Sequence, residues 1–173
     1  LLAKNGKAAC IGNFSQGTPH INVAAGEVGH WQAFLPAIDE ALAPRNPRGI
    51  LCLHEYSMTT RFQDSVYWHV GRYRQVYEYL RSVNRAQIKL AITEFGIDSN
   101  SGPAGWQAQF PQATLYAKVD AYLSEMLWFD CEYLQKDDYV LGATIYAHGI
   151  PSWEKFDIAP LFPALTARAV RGC

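Results

Sequence analysis

A carboxylate at the end of an apolar run is the strongest chemical signal in the sequence. Glu94 closes the β-prone run of residues 90–94, and an earlier apolar run, residues 50–56, carries His54 and Tyr56 near its end. A carboxylate held between an imidazole and a phenol can be kept ionised and oriented, as a nucleophile requires. The two segments therefore predict a shared catalytic site.

Side-chain alternation predicts which of these residues face one another. Consecutive residues on a β-strand point to opposite faces, so His54 and Tyr56 share a face from which Glu55 is directed away, toward the helices. The inward set expected on the later strand is Leu90, Ile92 and Glu94. Neighbouring strands lie about 4.8 Å apart. We therefore expect the Glu94 carboxylate beside His54 and Tyr56.

Short apolar runs separated by helical patterns must position these residues. The predicted strands are residues 8–14, 50–56, 90–95 and 141–147, and the predicted helices are residues 31–43, 66–80, 115–134 and 161–170. The clearest buried helix face comprises Val66, Val70, Tyr73, Tyr77 and Leu80. Strands that are apolar on both faces and separated by helices indicate an α/β protein with a parallel sheet. The carboxyl ends of its strands would form one edge, where sites are built.

Four β-α units of this size correspond to half of an eight-unit (β/α)8 TIM barrel. The opening residues 1–6 read like the tail of a helix, as if a fifth unit began after a fourth. An open doubly wound sheet is the alternative. A half barrel leaves two strand edges and one sheet face uncovered, so it would need the N-terminal half of the barrel, or self-association, to cover them.

The composition limits the number of domains and the kinds of partner that can be expected. With 173 residues, 49% of them hydrophobic, and a net charge of -1, the chain is expected to form a single domain over residues 1–173. Scattered charges argue against nucleic acid and anionic membranes as partners. No apolar run reaches the roughly 18 to 20 residues of a membrane span, so a soluble protein is expected, and its compartment, secretion included, stays open.

The cysteines do not indicate a metal site. They are widely spaced, and the histidines near them follow no metal-ligand spacing, so neither a metal nor an organic cofactor is expected. Cys10 and Cys52 lie in apolar runs, where a thiol behaves as a small hydrophobic side chain.

The pairing of His54 and Tyr56 with Thr93-Glu94-Phe95-Gly96 resembles the sixth and seventh strands of the clan A glycoside hydrolases, most closely the family five-like cellulases and mannanases. The resemblance covers the whole chain as strands five to eight. It implies a TIM-barrel enzyme that hydrolyses β-linked oligo- or polysaccharides with retention, with Glu94 as nucleophile. The eighth-strand aromatic residue of that clan corresponds to Tyr146, where tryptophan is usual, or to Trp153.

The sequence departs from this clan in lacking the acid/base carboxylate, which follows an asparagine at the end of the fourth strand. No Asn-Glu pair occurs in the 173 residues. The chain could be the C-terminal part of a longer enzyme and inactive alone, or Glu55 or Asp98 could substitute. Otherwise it could be a carbohydrate-binding or interaction half barrel, or a TIM-barrel aldolase or isomerase.

Substrate-binding candidates lie in the loops that follow the strands. Trp106 and Trp153 could stack on the apolar faces of pyranose rings, while Asn13 and His148 could bind hydroxyl groups. Trp68 and Trp128 are predicted to lie inside helices. These two tryptophans are therefore expected to pack between helix and sheet.

Overall fold

A four-stranded parallel sheet forms the centre of the computed structural model, which describes residues 5–44, 48–99, 105–111 and 114–168. The strands are β1 (Cys10–Phe14), β2 (Ile50–Ser57), β3 (Lys89–Ile97) and β4 (Val140–Ile145). They lie in the order β1-β2-β3-β4, with every neighbouring pair parallel. The α/β prediction is confirmed, and each strand begins and ends within two residues of its predicted bounds.

Five helices accompany the sheet in the described part of the chain. They are α1 (Gly29–Leu42), α2 (Tyr73–Ser82), α3 (Trp106–Gln109), α4 (Leu115–Glu132) and α5 (Phe162–Arg168). The Thr114 hydroxyl caps α4 by accepting a hydrogen bond from the Ala117 N–H at 3.2 Å. Two predicted helix ends, at residues 1–6 and 161–170, extend beyond the described part of the chain. The residues that lie outside it are 1–4 and 169–170. No described helix combines the length and the apolar character needed to cross a membrane.

The helix predicted over residues 66–80 is wrong in its first part. Gly71 has φ +74°, and a Cβ there would lie 2.6 Å from a ring carbon of Tyr133. Tyr67 also has a positive φ, of 75°. This backbone is incompatible with an α-helix, so α2 begins only at Tyr73. The segment before Tyr73 is a loop, so its side chains do not follow the spacing of a helix face.

The helices cover one face of the sheet. A single core cluster includes Leu51, Leu53, Leu90, Ile92 and Phe95 from the strands. The same cluster includes Trp31, Ile38, Val76, Leu80, Leu123 and Phe129 from the helices. On the opposite face, Asn13 and Thr144 are exposed and Leu141 is 58% exposed. Sequential strands with helices on one side differ from a doubly wound sheet, in which the strand order reverses.

A bulge in β3 changes the alternation along that strand. Leu53 pairs with Ile92, but His54 pairs with Glu94, so Thr93 is an extra residue. Leu90 and Ile92, which precede the bulge, are buried against the helices. Glu94, which follows the bulge, faces the other side of the sheet. The predicted inward set of Leu90, Ile92 and Glu94 is therefore wrong in its first two members. Glu94 reaches its expected neighbours only because the bulge intervenes.

A disulfide joins the first two strands. Cys10 and Cys52 are bonded, with their Cα atoms 5.9 Å apart and a sequence separation of 42. The prediction that they act as free apolar thiols is wrong. Because cross-links of this length restrict the unfolded chain, the bond is expected to stabilise the β1-β2 pair.

Candidate active site

A cavity of about 190 Å³ opens at the carboxyl ends of the strands. Its lining comprises Ser15, Gln16, His54, Tyr56, Glu94, Asp98, Tyr146, Trp153 and Phe156. These residues lie at the end of, or in the loop after, each of the four strands. The sheet therefore collects side chains from distant parts of the sequence at one edge.

Glu94 is held at one of its two oxygens. The Tyr56 hydroxyl donates a hydrogen bond to Glu94 Oε2 at 2.8 Å. His54 Nδ1 lies 3.2 Å from the same oxygen. Within the described part of the chain, Oε1 has no hydrogen-bond partner, and the Glu94 side chain is 31% exposed. The carboxylate is thus oriented by two neighbours while one oxygen stays free to react.

The position of His54 favours one tautomer. Its Nδ1 faces the Glu94 carboxylate, while its Nε2 is buried without a partner among the described residues. A proton on Nδ1 would be attracted by the carboxylate, whereas a lone pair there would be repelled. We therefore place the proton on Nδ1, an assignment inferred from these neighbours. The protonated Nδ1 then attracts the Glu94 carboxylate, and Nε2 is left as an acceptor.

Tyr56 is suited to act as a lasting hydrogen-bond donor. Burial raises the pKa of its phenol well above the usual value, and the hydrogen bond to Glu94 and the charge of that carboxylate raise this pKa further. The phenol therefore stays protonated at neutral and moderately alkaline pH. It can fix Glu94 without competing with it as a base.

Aromatic rings form one wall of the cavity. Tyr146 packs edge-on against Tyr56, with ring centroids 6.0 Å apart, and against Trp153 at 5.9 Å. Phe156 supports Trp153 from 5.1 Å. Trp153 is still 46% exposed. Both predicted platform residues, Tyr146 and Trp153, therefore border the same space as Glu94, and their packing fixes the ring planes.

Trp106, predicted as a sugar-stacking residue, is instead part of the core. Its side chain has 0% exposure, and its Nε1 donates to the Asp157 carbonyl oxygen at 3.2 Å. Its ring stacks on Tyr122, with centroids 4.9 Å apart. A ring covered in this way cannot contact a ligand, so the prediction is corrected.

His148 and Asn13 lie outside the cavity lining. His148 is exposed, and its Nδ1 lies 3.0 Å from Asp157 Oδ1. This contact is the main reason that the pKa of the Asp157 carboxyl is lowered. Asn13 is exposed on the open sheet face, where its Oδ1 accepts from the Thr93 hydroxyl at 2.6 Å. Neither residue contacts the Glu94 cluster in this arrangement.

Ser15 and Gln16 line the cavity but were not predicted as site residues. Their loop is anchored by Arg72, whose guanidinium donates to the carbonyl oxygens of Thr18 at 2.9 Å and Pro19 at 3.0 Å. The signal that could have found them is their place directly after β1. Any loop at this edge of a parallel sheet is a candidate for the site.

Glu55 lies on the helix side, as alternation predicts. It is fully buried, and its two oxygens accept the backbone N–H groups of Gly71 at 2.7 Å and Tyr73 at 2.6 Å. Burial raises the pKa of its carboxyl to about 7, against the opposing effect of Arg72 and of these two hydrogen bonds. Because Glu55 is enclosed on the opposite face, it cannot be the second carboxylate of the cavity.

Neither a metal cluster nor a known relative indicates the chemistry. In the described ranges, no group of three or more His, Cys, Asp or Glu side chains could hold a metal ion. Comparisons with protein-family models, with curated proteins and with solved structures gave no match. The function is therefore inferred from the geometry of the cavity.

Proposed function

We propose that the protein is a retaining glycoside hydrolase acting on a β-linked oligo- or polysaccharide, with Glu94 as its nucleophile. The observation that carries this proposal is the asymmetric holding of Glu94. Its Oε2 is bound by Tyr56 and faces His54, whereas its Oε1 has no partner in the described structure. A nucleophilic carboxylate needs this combination of fixed orientation and one free oxygen.

In the proposed reaction, Glu94 Oε1 attacks the anomeric carbon and the bond to the leaving-group oxygen breaks. A glycosyl-enzyme ester forms, and water then hydrolyses it to regenerate the carboxylate. Tyr56 and His54 orient Glu94 and contact the sugar. Tyr146 and Trp153 supply apolar ring surface for the C–H face of the bound unit.

Retaining hydrolysis also needs a general acid/base carboxyl about 5 to 5.5 Å from the nucleophile. We propose that this group comes from the part of a (β/α)8 barrel that covers the open face of the sheet. The exposed Leu141 side chain and the sequential order of the strands support such a partner, which would be an N-terminal half barrel.

Asp98 is the alternative source of the second carboxyl. It lines the same cavity as Glu94, and its Oδ1 accepts the Ser99 N–H at 2.8 Å. Among the described residues, these two are the only carboxylates in the lining. Asp98 would therefore be the acid if the chain acts without a partner.

A non-hydrolytic carbohydrate-binding half barrel is the second candidate function. The aromatic wall of Tyr146 and Trp153 favours it, because this wall could hold a sugar whether or not an acid is present. It predicts binding of oligosaccharide without cleavage.

The test is hydrolysis of dinitrophenyl β-glycosides, whose leaving group departs without an acid. We expect Glu94→Gln to reduce the rate by at least about 10³-fold, with the unfolding midpoint unchanged. Glu78→Gln, the same substitution at an exposed position on α2, is the matched control. Near-normal hydrolysis by Glu94→Gln would remove the assignment. Binding without any hydrolysis by the wild type would favour the binding half barrel.

A further inference from the structure

A second cavity, of about 380 Å³, lies beyond the end of β2. Its lining comprises Met58, Thr59, Asp64, Ser65, Trp68 and His69. Tyr56 lines the first cavity and Met58 lines the second, and these residues are two positions apart, about 7 Å along an extended chain. The two cavities therefore open from the same edge of the sheet.

Trp68 presents its ring to this cavity. It was predicted to pack inside a helix, but the loop before α2 leaves it 53% exposed. The His20 ring lies nearly parallel to it, at an interplanar angle of 18° and a centroid distance of 6.2 Å. Core packing does not account for an indole that is 53% exposed. It offers a flat apolar surface for a ligand.

The polar groups around Trp68 divide into those that hold the loop and those that are free. The Thr59 hydroxyl donates to the Arg61 carbonyl oxygen at 2.7 Å, and Ser65 Oγ lies 2.8 Å from Ser57 Oγ. These contacts fix the shape of the loop. The Asp64 carboxylate and the His69 ring, by contrast, have no hydrogen-bond partner in the described part of the chain.

These free groups suit a neutral polyhydroxylated ligand. The Asp64 carboxylate can accept hydroxyl protons. Burial, together with nearby Arg72, lowers the pKa of His69, so its imidazole is neutral at pH 7 and can both donate and accept. A carboxylate beside a neutral imidazole disfavours anionic ligands. Sugar hydroxyls, with an apolar ring face for the indole, match all three side chains.

We propose that this cavity is a second sugar-binding subsite, in which Trp68 stacks on a pyranose ring while Asp64 and His69 bind its hydroxyl groups. The inference rests on the proposed function and extends it. The substrate is then an extended glycan that passes from Glu94 over the end of β2 to Trp68. Short sugars occupy only the first cavity, whereas longer chains gain affinity from the second.

The test compares long and short glycans by titration calorimetry on the Glu94→Gln protein, which should bind without turnover. Cellohexaose and mannohexaose are the long probes, and cellobiose and mannobiose the short ones. Adding Trp68→Ala should weaken the better hexasaccharide about tenfold or more and leave its disaccharide unchanged. Tyr116→Ala, which removes an 83% exposed aromatic residue on α4, is the control.

The outcomes separate the subsite from the proposed function. Unchanged hexasaccharide affinity in Trp68→Ala overturns the subsite alone. Failure of every probe to bind the parent protein overturns the proposed function and the subsite together. If Trp68→Ala does not fold, Asp64→Ala alters the same cavity at an exposed position, and loss of hexasaccharide affinity alone is again the expected result.

Discussion

Glu55 and Glu94 lie on neighbouring strands at almost the same level but on opposite faces of the sheet. Glu55 is fully buried, with both oxygens occupied by backbone N–H groups. Glu94 is 31% exposed, and only its Oε2 is held. A glutamate side chain is thus hydrogen-bonded at both oxygens where it stabilises the fold. It is hydrogen-bonded at one oxygen where the other is available for chemistry.

The two faces differ in the same way around these residues. The helix side is a continuous core, in which Phe95 contacts Phe62 at 5.0 Å and Phe129 at 4.4 Å between ring centroids. The cavity side is polar and partly open. We therefore expect substitutions on the helix side to change stability and those on the cavity side to change function.

The largest expected difference between the two carboxylates is in the free energy of unfolding. Glu55→Ala leaves the Gly71 and Tyr73 N–H groups buried without acceptors, which should destabilise the protein by about 4 kcal/mol. Glu94→Ala removes a partly exposed side chain and should change stability by less than about 1 kcal/mol. Urea unfolding of both variants measures this contrast. Equal losses would contradict the division between the two faces.

A smaller contrast concerns pH. The unfolded Glu55 carboxyl loses its proton near pH 4.5, but the folded carboxyl keeps it until about pH 7. Between these values the unfolded state binds fewer protons, so the stability of wild type relative to Glu55→Gln should fall as pH rises, by on the order of 3 kcal/mol.

Unfolding curves of the two proteins from pH 4.5 to 8.5 would follow this difference. It should decrease up to about pH 7 and then stay constant. A difference that grows with pH would mean that the buried carboxyl is held as the anion.

The strands were predictable because their apolar runs are short and uninterrupted, whereas local geometry was not. The bulge at Thr93 depends on pairing with β2, so simple alternation gave the wrong face to Leu90 and Ile92. The helix pattern before Tyr73 failed at Gly71, which has a positive φ and leaves no room for a Cβ beside Tyr133. Periodicity records which residues are apolar but not where the backbone turns.

The centre of the candidate site was also predictable, and its surroundings were not. Glu94, His54 and Tyr56 lie at one edge because strand ends share it, but the bulge at Thr93 is what turns Glu94 to the face of the other two. The exposure of a tryptophan depends on the path of the backbone that carries it, so Trp106, at the start of α3, proved buried and Trp68, in a loop, proved exposed. The Cys10–Cys52 disulfide likewise depends on the pairing of β1 with β2, which spacing alone does not reveal.

The central claim is that Glu94 forms a covalent bond with the sugar. A dinitrophenyl β-glycoside carrying fluorine beside the anomeric carbon should react with Glu94 and release dinitrophenolate, and the fluorine should slow hydrolysis of the resulting ester. Mass spectrometry should then show one added fluoroglycosyl group on the peptide containing Glu94, and none in Glu94→Gln. A label on another carboxylate such as Asp98, or equal labelling of Glu94→Gln, would contradict the account.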